Sequence, residues 1–424
     1  MFHKTTLKNG VRLVTVPLEN TRAVTALVMV GAGSKYETRE TNGVAHFLEH
    51  MMFKGTRKRP TALEISSLLD GVGGEYNAFT GKEWTGYYVK VDESHLALAL
   101  DMLSDVYQNS LFDQGEIDKE RGVIIEEINM HLDTPVRHLG DLWEKLLYGD
   151  QPAGWEIAGE KENILKMRRE DFLEYLRAHY TAPNTTVVVA GRMQEDGAKR
   201  LVENYFGKLT KCAPGKKPKV REAQKEPQAL VWPKKTDQTH LAVGVRAYHL
   251  YSPKRWALAV LATVLGGGMS SRLFTEIREK RGLAYYVSTS PEHYTDSGYL
   301  VTQAGVRLGT AEEAVRIILG EYKKIAERGV TAKELKKAKE YLKGHLLLNL
   351  ESSDEFAFFV GEQEVRHKKI ATPDEKIQRL EKVTANGVQA VAREIFRDAK
   401  LNAAFIGPFE KSDEEKFKKI LTFS

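Results

Sequence analysis

The sequence contains very little cysteine and no long apolar run, and each absence excludes some classes of protein. Cys212 is the only cysteine among 424 residues. An internal disulfide and a cysteine-based metal cluster are therefore excluded, and a reducing compartment is favoured. A membrane-spanning helix needs about 18 or more consecutive apolar residues, and no such run is present. Residues 1–10 also lack the apolar stretch of a secretory signal. We therefore expect a cytoplasmic protein that does not bind a membrane.

The excess of positive over negative charge is also small, since 63 basic and 58 acidic residues give a net charge of +5. The basic residues are most concentrated between Lys208 and Lys235, a segment that is rich in proline and has no helical periodicity. Because Trp232 is the single aromatic residue in it, we interpret this segment as a linker rather than a nucleic-acid-binding arm. The length is about twice that of a usual domain. We predict domains over residues 1–212 and 237–424, joined by a linker over 213–236, and no nucleic-acid partner.

The two halves resemble each other in sequence pattern. Residues 171–191, DFLEYLRAHYTAPNTTVVVAG, and residues 387–407, GVQAVAREIFRDAKLNAAFIG, each read as a helix, a turn and a β-rich strand that ends in glycine. They align without a gap at an offset of 216. A final acidic-then-basic helix follows in each half, over 194–209 and 412–422. This pattern indicates duplication of a whole domain.

The order of predicted elements defines the fold class. Strands separated by hairpins and backed by helices predict an α+β protein of two tandem homologous domains, each a mostly antiparallel β-sheet packed with α-helices. The strands are predicted at 11–17, 24–30, 84–91, 185–191, 239–246, 284–291, 297–306 and 401–406. The helices are predicted at 42–54, 61–71, 93–109, 114–132, 169–180, 253–265, 310–328 and 332–350.

The sequence His46-Phe47-Leu48-Glu49-His50 is the first candidate for chemistry. Asn42 is a suitable N-cap and Gly55 a suitable stop for a helix that contains it. On a helix, His46 and His50 share one face and can bind one ion, while Glu49 lies on the same side. Zinc held in this way lowers the pKa of a bound water to about 7, and a neighbouring carboxylate can accept its proton. The alternative is that both histidines are packing or surface residues.

A third metal ligand is expected from the helix over residues 113–130. Glu120 and Glu127 are two helical turns apart and share a face, whereas Glu126 points about 100° away. Apolar neighbours predict that this helix is largely buried, and a buried carboxylate pair without a cation is costly. His131 is a competing ligand candidate, and a solvated acidic stripe is the alternative that needs no metal.

Together these residues resemble the pitrilysin/insulysin-type zinc peptidases, in particular short bacterial members similar to the β subunit of the mitochondrial processing peptidase. The family pattern is His-x-x-Glu-His, then 76 residues, then a ligand glutamate, and 76 residues separate His50 from Glu127. The resemblance implies a metalloprotease fold of the LuxS/MPP type, with one Zn²⁺ per chain bound by His46, His50 and Glu127. It also implies that Glu49 is the catalytic general base and that Glu120 is a supporting acidic residue of the catalytic centre.

The second half lacks this motif, because the offset of 216 brings its positions to Ala262, Leu265 and Gly266. It contains instead Arg278, seven residues before Tyr285, and this spacing is similar to that of the Arg/Tyr pair with which family members hold substrate. Both side chains donate hydrogen bonds, which suits a carbonyl that becomes negative in the transition state. A packing role for Tyr285 in a strand is the alternative.

The stretch from residue 73 to 91 reads as two strands joined by a turn at Gly81. In the family, the equivalent of Asn77, Ala78 and Phe79 is an edge strand to which substrate adds as a further β-strand, which explains acceptance of many sequences. An ordinary half-buried hairpin is the alternative.

From these features we predict a zinc metalloendopeptidase that hydrolyses peptides or short unfolded polypeptides. The alternatives are a processing-peptidase subunit, a non-catalytic binding or assembly subunit of a heterodimer, and a zinc hydrolase that acts on a non-peptide amide. Longer relatives enclose a chamber with four homologous domains, so we expect a homodimer, or a heterodimer with a paralogue.

Overall fold

The computed structural model describes residues 2–423. Each predicted strand is present within a few residues of its predicted bounds, and a further strand at 228–233 lies in the segment that was predicted to be a linker. In chain order they are β1 His3–Thr6, β2 Arg12–Pro17, β3 Ala23–Val30, β4 Glu75–Thr80, β5 Thr85–Asp92, β6 Thr185–Gly191, β7 Gln228–Pro233, β8 Gln238–Arg246, β9 Ala284–His293, β10 Gly298–Arg307 and β11 Leu401–Gly407.

The helices include all those predicted, together with others that were not. In chain order they are α1 Val44–Met51, α2 Ala62–Asp70, α3 Leu96–Asn109, α4 Gln114–Asp133, α5 Pro135–Tyr148, α6 Lys161–Lys166, α7 Arg169–His179, α8 Glu195–Phe206, α9 Arg255–Gly266, α10 Ala311–Arg328, α11 Ala332–Leu348, α12 Ser353–His367, α13 Pro373–Glu381, α14 Ala385–Ile395 and α15 Asp413–Ile420. Among residues 2–423, no helix combines the length and apolar character that crossing a membrane requires.

Each half contributes one β-sheet, and the two sheets share a five-strand topology to which the first sheet adds β1 at one edge. The first sheet has the strand order β1-β2-β6-β3-β5-β4, and the second has the order β7-β11-β8-β10-β9. In each sheet one pair is parallel, β2 with β6 and β7 with β11, while the other pairs are antiparallel. The predicted α+β class with mostly antiparallel sheets is confirmed.

The predicted duplication is also visible element by element. Helix α7 and strand β6 in the first half correspond to α14 and β11 in the second, and each boundary is shifted by the same 216 residues. Strands β2 and β7 are related by the same shift. Each copy continues into a short helix, α8 or α15.

Two helices, neither of them predicted, make the compact units differ from the predicted contiguous domains. The first unit comprises Met1–Asn129, Trp155–Pro218 and Leu348–Ala371, and the second comprises Met130–Gly154, Lys219–Leu347 and Thr372–Ser424. The physical reason is burial of apolar surface. Helix α12 buries Ala357 and Val360 against the first sheet, and helix α5 buries Leu139 and Trp143 against the second.

The segment predicted as a linker is only partly free of regular structure. Residues 210–227 form neither helix nor strand, whereas β7 lies within the predicted 213–236 range as an edge strand of the second sheet. The first part of the segment is held by the first unit, where Lys217 Nζ lies 3.3 Å from a carboxylate oxygen of Glu83. The basic residues of this segment therefore include ones that pair within the fold.

A buried ion pair fastens α12 to the first sheet. Glu364 is fully buried, and its Oε1 lies 2.9 Å from Arg12 Nε of β2 and 2.7 Å from Lys4 Nζ of β1. The remaining guanidinium nitrogens of Arg12 donate to the Pro183 carbonyl and to Thr186 Oγ1. Removing Glu364 would leave the buried Arg12 without its counter-charge.

We expect Glu364→Ala to lower the free energy of unfolding of the first unit by about 3–5 kcal/mol, the usual cost of breaking a buried pair. Denaturant unfolding, combined with amide hydrogen exchange in β2 and α12, measures the effect. Glu362→Ala is the matched control, because the Glu362 side chain is 45% exposed and pairs with Arg366 along the same helix. A loss for Glu364→Ala no larger than that of the control would contradict the proposed tether.

Candidate metal and catalytic site

Helix α1 carries the His-x-x-Glu-His sequence and begins differently from the prediction. Gly43, in the left-handed region at φ 101°, precedes the first helical residue. The capping acceptor is the buried carboxylate of Glu37, which accepts hydrogen bonds from the backbone N–H groups of Gly43 (2.9 Å) and Ala45 (2.8 Å). Asn42, the predicted N-cap, instead donates its side-chain amide to Glu37. Burial raises the pKa of Glu37 to about 7, although these hydrogen bonds oppose the shift.

The two histidines of α1 and a glutamate of α4 converge on one point. His46 Nε2 and His50 Nε2 each lie 3.5 Å from Glu127 Oε2. The three candidate ligand atoms all lie within 4.8 Å of one another. His46 and His50 come together because they are one helical turn apart, and their ring centroids are 4.7 Å apart.

The separations of Glu127 Oε2 from the two imidazole nitrogens fit a tetrahedral zinc ion. Zinc binds imidazole nitrogen and carboxylate oxygen at about 2.0–2.2 Å, so neighbouring ligands in a tetrahedron are about 3.3–3.5 Å apart. The two measured N···O separations of 3.5 Å have that length. Three protein ligands are also the number found in catalytic zinc sites, where a fourth position stays open to water or substrate.

Glu120 lies behind the histidine pair instead of between the ligands. Its Oε1 lies 2.9 Å from Nδ1 of His50, the ring nitrogen that does not face Glu127. Its Oε2 lies 2.5 Å from Lys54 Nζ. Burial favours a higher pKa for Glu120, but hydrogen bonds from His50 and Lys54 outweigh burial and lower the pKa. Burial lowers the pKa of His50 in turn, and the carboxylates of Glu120, Glu49 and Glu127 outweigh that effect and raise it.

Glu49 is positioned by Thr80, a residue that the sequence pattern does not single out. Thr80 Oγ1, at the end of β4, donates a 2.6 Å hydrogen bond to Glu49 Oε2. Burial raises the pKa of Glu49, while Thr80 and His50 oppose the shift. The second carboxylate oxygen of Glu49 is the one that this hydrogen bond leaves available for chemistry.

The predicted substrate strand lies at the edge of the first sheet. Asn77, Ala78 and Phe79 belong to β4, which pairs with β5 on one side and ends the strand order on the other. Phe79 packs against the rings of Trp84 and Phe358, with centroids 5.1 and 5.4 Å away. The opposite residue is Gly86, where a Cβ atom would meet the Phe79 ring at 2.2 Å. The Phe79 side chain therefore anchors β4. Within residues 2–423, no strand pairs with the other edge of β4.

Arg278 and Tyr285 belong to the second unit and lie close to each other. The Arg278 guanidinium carbon is 5.4 Å from the centroid of the Tyr285 ring and 4.8 Å from that of Phe274. Tyr285 is 74% exposed. The offset of 216 brings the positions of His46 and His50 to Ala262 and Gly266 of α9, which are buried and offer no ligand atom.

Comparison with known protein families identifies the family of this chain. Residues 12–161 match the model of the insulinase family, peptidase family M16, and residues 166–342 match the model of the M16 inactive domain. The chain belongs to the M16 peptidase family. The predicted resemblance is thereby confirmed.

The M16 relatives match almost end to end. The uncharacterized zinc protease YmxG of Bacillus subtilis is 37% identical, over 94% of this chain and 96% of its own length. The uncharacterized zinc protease ML0855 of Mycobacterium leprae is also 37% identical, over 96% of this chain and 92% of its own length.

Solved M16-type structures have the same fold. A protease from Helicobacter pylori superposes with a TM-score of 0.91 at 26% identity, over 96% of this chain and 99% of its own. A peptidase M16 inactive domain from Pseudomonas fluorescens superposes with a TM-score of 0.88 at 18% identity, over 97% and 98% of the two chains, and its likeness concerns the fold alone.

Proposed function

We propose that this M16 family member is a zinc-dependent metalloendopeptidase that hydrolyses peptides or short unfolded polypeptides. The observation that carries the proposal is the convergence of His46 Nε2, His50 Nε2 and Glu127 Oε2, with the carboxylate of Glu49 on the same helix. Relatives named zinc proteases support the choice of metal and reaction.

In this proposal each residue has a separate task. His46, His50 and Glu127 hold the ion, which when bound polarises a carbonyl and lowers the pKa of water. Glu49 accepts the proton of the attacking water and delivers it to the leaving amine as the peptide bond breaks. Glu120 keeps the proton of His50 on Nδ1 through their 2.9 Å hydrogen bond, so that Nε2 carries the free lone pair.

Substrate binding is proposed to use the backbone edge of β4, at Asn77, Ala78 and Phe79. Main-chain pairing with an extended peptide does not depend on side chains and suits a broad substrate range. Arg278 and Tyr285 are proposed as donors to substrate carbonyls, since the Arg278 guanidinium lies beside the Tyr285 ring and Tyr285 is exposed. The absence of a requirement for substrate side chains predicts cleavage of unrelated unfolded sequences.

A quenched-peptide assay on the purified full chain tests the proposed function. We expect zinc-dependent cleavage that a chelator removes and added zinc restores. Product masses from a mixed peptide pool then identify peptide-bond hydrolysis and exclude action on other amides. If the pure, zinc-loaded protein cleaves nothing, a non-catalytic binding or assembly subunit becomes the better assignment; if cleavage resists the chelator, the zinc mechanism is wrong.

We further propose that the chain works as a dimer, either with a second copy or with a paralogue. Zinc content and molar mass measured on one sample test the assembly together with the site. A monomeric, fully active chain would contradict the dimer without affecting the zinc assignment.

The Thr80–Glu49 hydrogen bond gives a prediction about the proposed general base. Thr80→Val keeps the shape of the side chain but removes the donor, and we expect kcat to fall about 10-fold or more, since a hydrogen bond to a charged group contributes about 1.5–3 kcal/mol. Zinc content should not change, because Thr80 touches no proposed ligand atom. Thr80→Ser restores the hydroxyl and should recover most of kcat; equal kcat for the Val variant and the wild type would contradict this role.

A further inference from the structure

Lys54 occupies a defined place in the neighbourhood of the metal ligands, although no ligand or base role falls to it. It lies four residues after His50 and eight after His46, so the three side chains follow one stripe. Helix α1 ends at Met51, but the chain keeps turning, because the N–H of Lys54 donates to the Met51 carbonyl at 3.2 Å. The Lys54 ammonium therefore lies on the same side as His50.

The partner of Lys54 is the carboxylate that orients His50. Glu120 Oε1 accepts from His50 Nδ1 at 2.9 Å, and Glu120 Oε2 lies 2.5 Å from Lys54 Nζ. Each carboxylate oxygen thus has one partner, and together they form a chain that runs from Lys54 through Glu120 to His50. The Glu120 side chain is only 7% exposed, so solvent screens this charge pair weakly.

The position of Lys54 is fixed by the backbone that follows it. The Gly55 carbonyl accepts from the N–H of Leu111, and the N–H of Thr56 donates to the Arg59 carbonyl at 2.7 Å. The Thr56 hydroxyl donates in addition to the buried carboxylate of Asp105 at 2.6 Å. A loop anchored in this way holds the base of the Lys54 side chain in one place.

A buried carboxylate oxygen without a hydrogen-bond partner is costly, so without Lys54 the Glu120 side chain would tend to turn toward another donor. A Glu120 side chain that turned away would leave His50 Nδ1 without the partner that fixes the orientation of its ring. The ammonium of Lys54 supplies the second hydrogen bond.

We propose that Lys54 is a positioning residue for the metal site: by pairing with Glu120 Oε2 it holds that carboxylate where Oε1 contacts His50 Nδ1, and thereby tightens zinc binding. The proposal rests on the zinc site of the proposed function but not on the peptidase activity. It predicts a change in metal affinity, which is measured with zinc alone and no peptide.

The experiment measures the zinc dissociation constant of the full chain by competition with a chelator at fixed pH and salt. Lys54→Met keeps the aliphatic stem and removes the charge, and we expect about 10-fold weaker zinc binding, the lower end of what loss of an outer partner of a metal ligand costs. Lys54→Arg restores a cation and should recover most of the affinity. Lys58→Met is the matched control, because Lys58 Nζ lies 2.5 Å from a carboxylate oxygen of Asp101, the same distance as in the Lys54–Glu120 pair. Neither Lys58 nor Asp101 is a proposed metal ligand.

A double-mutant cycle separates positioning through Glu120 from a general structural effect. Where Glu120 is already Gln, Lys54→Met should cause no further loss of zinc affinity, because the carboxylate through which Lys54 acts is gone. A full loss in that background would overturn the proposal, and so would unchanged affinity of the single Lys54→Met variant. Wild-type protein that binds zinc tightly but cleaves no peptide would overturn the proposed function and leave this inference in place.

Discussion

Glu49→Gln should abolish peptide cleavage while the protein keeps its zinc. Glutamine has nearly the shape of glutamate, so Thr80 can still donate its hydrogen bond to the side-chain oxygen. It cannot accept a proton at neutral pH, and the loss of a general base typically costs about 10²–10⁴ in rate. Glu49 is not among the three converging ligand residues, so metal content should stay at one zinc per chain.

The control for this experiment is Glu126→Gln, which removes one exposed carboxylate of α4 by the same chemical change. It should cleave peptides at the wild-type rate. Zinc analysis and the unfolding temperature of each variant establish that the protein is loaded and folded. Cleavage by Glu49→Gln at more than about a tenth of the control rate would rule out Glu49 as the general base.

Much of the fold could be predicted because the information is local. The strand and helix periods and the repeat at a constant offset of 216 are visible along the chain. The spacing within His-x-x-Glu-His likewise fixes the relation of His46 to His50, since one helical turn joins them. These features depend on neighbours in sequence, and the structure has them as expected.

The packing of α5 on the second sheet and of α12 on the first sheet could not be predicted in this way. Helix α12 packs on the first sheet although it follows most of the second half, and its tether to Arg12 joins residues more than 350 positions apart. Neither the aromatic residues of α12 nor Glu364 indicates from the sequence alone which sheet the helix packs against. A local pattern predicts that a helix has a face to bury, whereas the surface that covers it is a property of the tertiary fold.

The residues around the ligands show the same limit. Lys54 had a sequence signal, because it continues the spacing of four from His46 and His50, but its partner Glu120 is 66 positions away. Thr80 had none, since its hydrogen bond to Glu49 exists only where the end of β4 meets α1. Glu37 was missed because a helix cap was sought in the residue next to the helix, and the acceptor lies six residues before Gly43.

Glu127→Gln tests the ligand on which the site depends most, because the Glu127 carboxylate of α4 lies 3.5 Å from Nε2 of both histidines of α1. The amide oxygen is neutral and binds zinc weakly, so only His46 and His50 remain as strong ligands. We expect zinc affinity to fall at least about 100-fold, more than the loss of an outer partner costs, and cleavage to disappear with it. The side chain of Glu127 is 29% exposed, so the fold should survive the change.

Glu126→Gln, one residue away on the same helix, should bind zinc as the wild type does. Metal analysis by mass spectrometry decides the question, and a fully loaded Glu127→Gln protein would show that the third ligand is another residue.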